Sequence, residues 1–120
     1  MSNRDINNRR IYQRTDTNCD AKYSLDGKGG WTEADVADIS SGGLQMYTEE
    51  EFETGDKLFF DVVLYGLSAQ LEFCTQGTIR RKKHVGLYYI YGVSFQGLSG
   101  DLKIHIDELI MHMRPKNFLI

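Results

Sequence analysis

With 120 residues, 41% of them hydrophobic, and a formal net charge of -3, the chain fits one compact domain with one core and leaves no room for a second of ordinary size. A charged fraction of 26% suits a soluble globular domain rather than a disordered or membrane one. The longest apolar stretches, Leu58 to Phe60 and Val62 to Leu64 around Asp61, fall far short of the roughly 20 residues a membrane helix needs. Met1 to Asp5 has no apolar run behind its charge, so no secretory signal is read there and the expected location is the cytoplasm, with no membrane insertion. Cys19 and Cys74 have no C-x-x-C partner and are too few for a disulfide framework or a zinc site; both read as reduced, structural thiols.

In chain order, residues 1–8 are polar and asparagine-rich and read as a flexible tail ahead of one domain over 9–114, with a second tail over 115–120. Ala21 to Ser24, Trp31 to Ile39 and Leu44 to Tyr47 are strand candidates separated by the turn-rich segments Asp26 to Gly30 and Ser41 to Gly43. Leu58, Phe60, Val62 and Leu64 share one face of a half-buried strand while Asp61 points to the other. Leu71, Phe73 and Thr75 start a strand that runs to about Ile79, the charged run Arg80 to His84 reads as a hairpin, and Val85, Leu87, Tyr89, Tyr91, Val93 and Phe95 alternate along the next strand. That makes about six strands, enough for a small barrel or sandwich. The period then changes: Leu102, Ile106, Leu109, Ile110 and Met113 gather on one arc of a helix, capped by Ser99 and stopped by Pro115. The expected class is mostly β (α+β), with the helix packed on the sheet.

Charge is distributed unevenly. Arg4, Arg9, Arg10 and Arg14 crowd the N-terminal segment, whereas Glu49, Glu50, Glu51, Glu53 and Asp56 form an acidic loop. Four guanidiniums suggest an anion-binding arm, although a solvated tail has the same composition. A broad DNA or RNA surface is not expected of an acidic chain. Asp101, His105, Glu108 and His112 fall on one arc of the helix, which reads as a solvated face rather than a metal site. Ile104 and Met111 form a second apolar stripe that, with Phe118-Leu119-Ile120, would suit a partner protein or fold back on the core. No serine, cysteine or histidine set shows nucleophile-and-base spacing, so the chain does not read as an enzyme.

Two motifs sharpen this reading. Arg10-Ile11-Tyr12-Gln13-Arg14 is an R-x-x-x-R element, and Asp38-Ile39-Ser40-Ser41-Gly42-Gly43 is a D-x-S-x-x-G element. Together with the Gly77 to Arg80 strand, the Tyr91 to Phe95 strand and the closing helix, in that order, they resemble the PilZ domain. The resemblance implies a six-stranded antiparallel β-barrel that binds the bacterial second messenger cyclic di-GMP and serves in such processes as biofilm formation and motility. Arg10 and Arg14 would donate paired hydrogen bonds to phosphate or guanine, Asp38 would accept from guanine N1–H and N2–H, Ser40 would bond beside it, and Gly43 would permit close approach of the ligand or a special backbone angle. Arg9, just before the motif, is associated in the family with an intercalated pair of nucleotides. The resemblance calls for no cofactor beyond that ligand. Taken alone, Asp38 and Ser40 read as an Asx or Ser turn. The alternatives are a PilZ-like interaction module without nucleotide and, less in keeping with the residues, a small metal-dependent barrel protein.

Overall fold

The computed structural model describes residues 19–66 and 69–113, the last two by backbone alone. Period-2 alternation becomes six strands: β1 (Cys19–Ser24), β2 (Thr32–Ser40), β3 (Gly43–Thr48), β4 (Lys57–Tyr65), β5 (Gln70–Val85) and β6 (Tyr88–Gln96). They close a barrel in the order β1-β2-β3-β6-β5-β4, every neighbouring pair antiparallel. One helix, α1 (Gly100–Met113), follows. This is the mostly β barrel with a C-terminal helix expected from the sequence.

Closure satisfies every strand edge with a neighbour, so the alternation sorts side chains cleanly into lumen and exterior. Leu58, Phe60, Val62 and Leu64 are almost fully buried along β4, as their spacing predicts, and Met46, Ile79 and Tyr91 meet them from the other strands. Phe52, from the acidic loop, closes one end of the barrel by packing edge-on to Tyr23 with ring centroids 5.5 Å apart. The Tyr91 hydroxyl fixes that loop, accepting from the Phe52 N–H at 2.6 Å and donating to the Glu50 carbonyl at 2.9 Å. Tyr23 donates to Glu50 at 2.8 Å, and burial pushes its phenol well above the usual range. The loop is therefore strapped down rather than solvated throughout.

The charged run Arg80 to His84 is not the hairpin. It continues β5 in register with β6 through Val85↔Tyr88, and the turn is the two residues beyond, Gly86 and Leu87. Gly86 has φ +59 while Leu87 keeps a negative φ, the pattern of a hairpin turn with glycine at its first central position. Charge had suggested a loop, but glycine's access to positive φ decides where the chain reverses. Leu87, assigned above to a strand face, is accordingly 83% exposed at the turn.

At the N-terminus of α1, the Leu102 N–H donates to Ser99 Oγ at 3.1 Å, the expected cap. Ile106 and Ile110 are buried against the barrel, with Leu102 and Leu109 half-buried beside them. Pro115, Phe118 to Ile120 and the side chain of Met113 lie outside the described residues. Cys19 is buried, but Cys74 is exposed on the outer face of β5, which corrects its reading as a structural thiol. Partial desolvation and the nearby Asp61 push the Cys74 thiol up, so it stays protonated and a poor nucleophile. Beside it, Glu72 is held above its ordinary value by a hydrogen bond to Asp61 and by that group's charge.

Removing Ile106 from its buried seat (Ile106→Ala) should cost about 2–5 kcal/mol and lower the melting temperature by on the order of 10 °C in a thermal denaturation scan. Glu72→Gln should have the opposite sign. A raised folded-state pKa destabilises increasingly as pH rises from the unfolded value through the folded one, so the variant should melt higher than wild type at pH 7 and match it in mild acid.

Candidate ligand-binding cleft

Ala34 and Val36 point into the lumen, and simple alternation would send residue 38 after them. Instead the β2–β3 register shifts between Val36 and Asp38, so Ile39 takes the next inward place and Asp38 turns out. A second shift, between Ile79 and Arg81 on β5, leaves Arg80 as the extra residue and brings it and Arg81 in succession onto the exposed exterior. Pairing then carries one transverse row across four strands, Asp38↔Gln45↔Gly92↔Arg81. A neighbouring row runs Ser40↔Gly43↔Ser94↔Thr78. Between these residues lies an open cleft of about 310 Å³, lined by Asp38, Ser40, Gly43, Gln45, Arg80, Arg81, Gly92 and Ser94 among others.

The β2–β3 turn forming one wall is held from both sides. Ser40 Oγ accepts from the Gly42 N–H at 3.1 Å, the turn bond anticipated for a serine, whereas Asp38 Oδ1 accepts from the N–H of the next residue, Ile39, at 3.0 Å, which is not an Asx turn. The Phe95 N–H donates to the Gly42 carbonyl at 2.9 Å. From α1, Asp107 accepts from the Ser41 N–H at 3.0 Å and from the Ser41 hydroxyl at 2.8 Å. Asp107 was not singled out from the sequence. It is one acid among several on a charged helix, and only packing brings it to the turn. Asp101, His105 and Glu108 are exposed on α1, and among the described residues no group of three or more metal-ligating side chains converges.

Gly43 does not need a special backbone angle: its φ is not positive, and a Cβ there would lie 1.9 Å from the Val93 carbonyl oxygen, so glycine is required to admit the β6 backbone. Gly92 also keeps its outer side clear. An added Cβ would stand 2.9 Å from Arg81 Nε and 3.1 Å from an Arg81 terminal nitrogen, which places the guanidinium directly on the bare backbone. Arg80 Nε donates to Ser94 Oγ at 2.9 Å. Lys82 faces the acidic loop, bridging Glu51 at 2.7 Å and Glu53 at 3.0 Å, and these bonds hold its ammonium well above its usual pKa.

Asp38, Ser40 and Gly43 thus converge on one cleft, whereas Arg9, Arg10 and Arg14 lie outside the described residues. Arg80, Arg81 and Gln45 line the cleft without having been picked out as site residues. Arg80 ends the Gly77 to Arg80 strand and Arg81 continues a basic run that reads as a solubilising hairpin, while Gln45 carries no signal of its own.

The PilZ domain family model matches residues 8–112. The chain belongs to the PilZ domain family. Among solved structures, this PilZ domain is similar to the Bacillus subtilis inhibitor of motility, MotI/DgrA, with a TM-score of 0.70 at 16% identity. The match covers 92% of this chain and 52% of that one, so the chain spans about half the length of that protein, and the likeness is one of fold. No curated protein sequence matches it. Among the described residues no helix is long and apolar enough to cross a membrane.

Gly43→Ala should cost this PilZ domain about 3 kcal/mol or more, because backbone rather than a flexible side chain must give way. Gly42→Ala, whose Cβ meets only Ser40 Oγ at 3.7 Å, should unfold close to wild type in urea.

Proposed function

We propose that this PilZ domain is a non-enzymatic receptor for cyclic di-GMP, acting in the cytoplasm, whose N-terminal arginine arm closes on the bound nucleotide and alters a surface offered to a partner protein. The observation that carries the reading is the convergence of Asp38 and Ser40 with Arg80 and Arg81 on one external cleft. A carboxylate accepts from guanine N1–H and N2–H, a donor pair absent from adenine, while guanidiniums serve phosphate oxygens and the Hoogsteen edge.

Chain geometry supports the arm. Ala21 pairs with Ala34, so β1 begins, at Cys19, on the side of β2 that leads toward Asp38. Arg14 precedes Cys19 by five residues, a length of chain that spans at most about 17 Å when fully extended. Arg10 and Arg14 would clamp the ligand and Arg9 would favour a second, intercalated nucleotide. Ordering an arm on a ligand shifts its equilibrium only by the ligand's preference for the closed state, which suits a switch. Ile104 and Met111, 60% and 68% exposed on α1, are apolar groups available to a partner.

Calorimetric titration with cyclic di-GMP, with cyclic di-AMP as control, tests this. The expected result is saturable binding of the guanine ligand alone, at one or two nucleotides per chain, the larger number assigning a role to Arg9. Loss of one charge-assisted contact costs about 1.5–3 kcal/mol, so Arg14→Ala should weaken affinity about 10- to 150-fold. No heat and no rise in melting temperature at high ligand concentration would instead favour an interaction module without nucleotide.

A further inference from the structure

The row Asp38↔Gln45↔Gly92↔Arg81 does more than line a wall. It sets an acceptor and a fork-shaped cation at opposite ends of one outer surface, with a side-chain-free position between them. We propose that Arg81 is the contact for the ligand's phosphodiester on the side of the cleft away from Asp38, and that Gly92 is the positioning residue that seats it. This rests on the cyclic di-GMP reading and deepens it.

Three observations converge. The register shift before Arg81 places it on the exterior in line with Gly92, so its direction is imposed by the strand pairing rather than by side-chain freedom. Its guanidinium packs against the side of Gly92 that a Cβ would crowd, with Nε 2.9 Å from that position, so it reaches back over β6 to within about two strand spacings, about 10 Å, of the strand that carries Asp38. Finally, Arg81 is shared between the Asp38 cleft and an adjoining one of about 570 Å³, where Arg80, Lys82, Lys83, Thr54 and Gln45 also line the wall and, among the described residues, no carboxylate does. The carboxylate therefore stands at one end of the joined surface and the cations gather toward the other: Asp38 suits the N–H edge of a base, whereas the end lined by Arg80, Arg81 and Lys83 attracts phosphate. The ligand's orientation follows, base toward Asp38 and phosphodiester over Gly92. A planar guanidinium held flat can give a phosphate two parallel hydrogen bonds, which a lysine ammonium cannot.

The test is calorimetric titration of the full chain with cyclic di-GMP for wild type, Arg81→Ala, Arg81→Lys, Gly92→Ala and the Arg81→Ala/Gly92→Ala double variant, with melting temperatures measured alongside. Arg81 is exposed, so its substitution leaves the core intact. Arg81→Ala should weaken binding about 10- to 150-fold, and Arg81→Lys should recover only part of the loss. Gly92→Ala should weaken binding by displacing the guanidinium, and the double variant should bind no worse than Arg81→Ala alone, since the glycine acts through the arginine. Wild-type binding with an unchanged Arg81→Ala variant overturns this inference and leaves the receptor reading standing. Additive losses in the double variant overturn the role of Gly92. Absence of wild-type binding overturns the receptor reading and this inference with it.

Discussion

A closed barrel gives each side chain two destinations, the lumen or the exterior, and strict alternation assigns them without exception unless the register is broken. The cleft depends on two such breaks. Without the shift before Asp38, its carboxylate would point into the lumen with Val36 and Met46, where an unpaired charge is very costly to bury. Without the shift before Arg81, the successive arginines of β5 would fall on opposite faces. Each bulge exchanges a regular ladder rung for a polar group aimed outward, and the pairing across β3 and β6 brings the two groups into one row.

The wall between them is rigid for reasons outside the cleft. Gly43 lets β3 and β6 approach so closely that no Cβ fits, and Asp107 on α1 grips Ser41 by both its amide and its hydroxyl. The helix can do this because Ile106 and Ile110 are buried against the barrel, so core packing sets the position of a polar turn more than fifty residues earlier in the chain. Burial of apolar side chains thereby becomes site geometry.

Charge is compartmentalised by the same framework. The net charge of -3 conceals an acidic loop in which three carboxylates are occupied: Glu50 by Tyr23, and Glu51 and Glu53 by Lys82. Lys82 is thus drawn toward the acids, while Arg80 and Arg81 remain against Ser94 and Gly92 beside the cleft. An acidic domain can in this way present a locally cationic surface to an anionic ligand, an effect of placement rather than composition.

The number of strands, their apolar faces, the terminal helix and its Ser99 cap were legible in the sequence because each is written in local period and local hydrogen bonding, which neighbours along the chain determine. The D-x-S-x-x-G motif likewise announced one wall of the cleft. Arg80 and Arg81 were misread as a hairpin tip because charge carries no information about strand length, and the true turn was marked by a single glycine, Gly86. What only the tertiary structure decided was which residues face each other: the opposition of Arg81 and Asp38 across four strands, the bare seat at Gly92, the carbonyl of Val93 against Gly43, and the grip of Asp107 on Ser41. These are set by register and closure, and register is a relation between distant segments that no local pattern encodes.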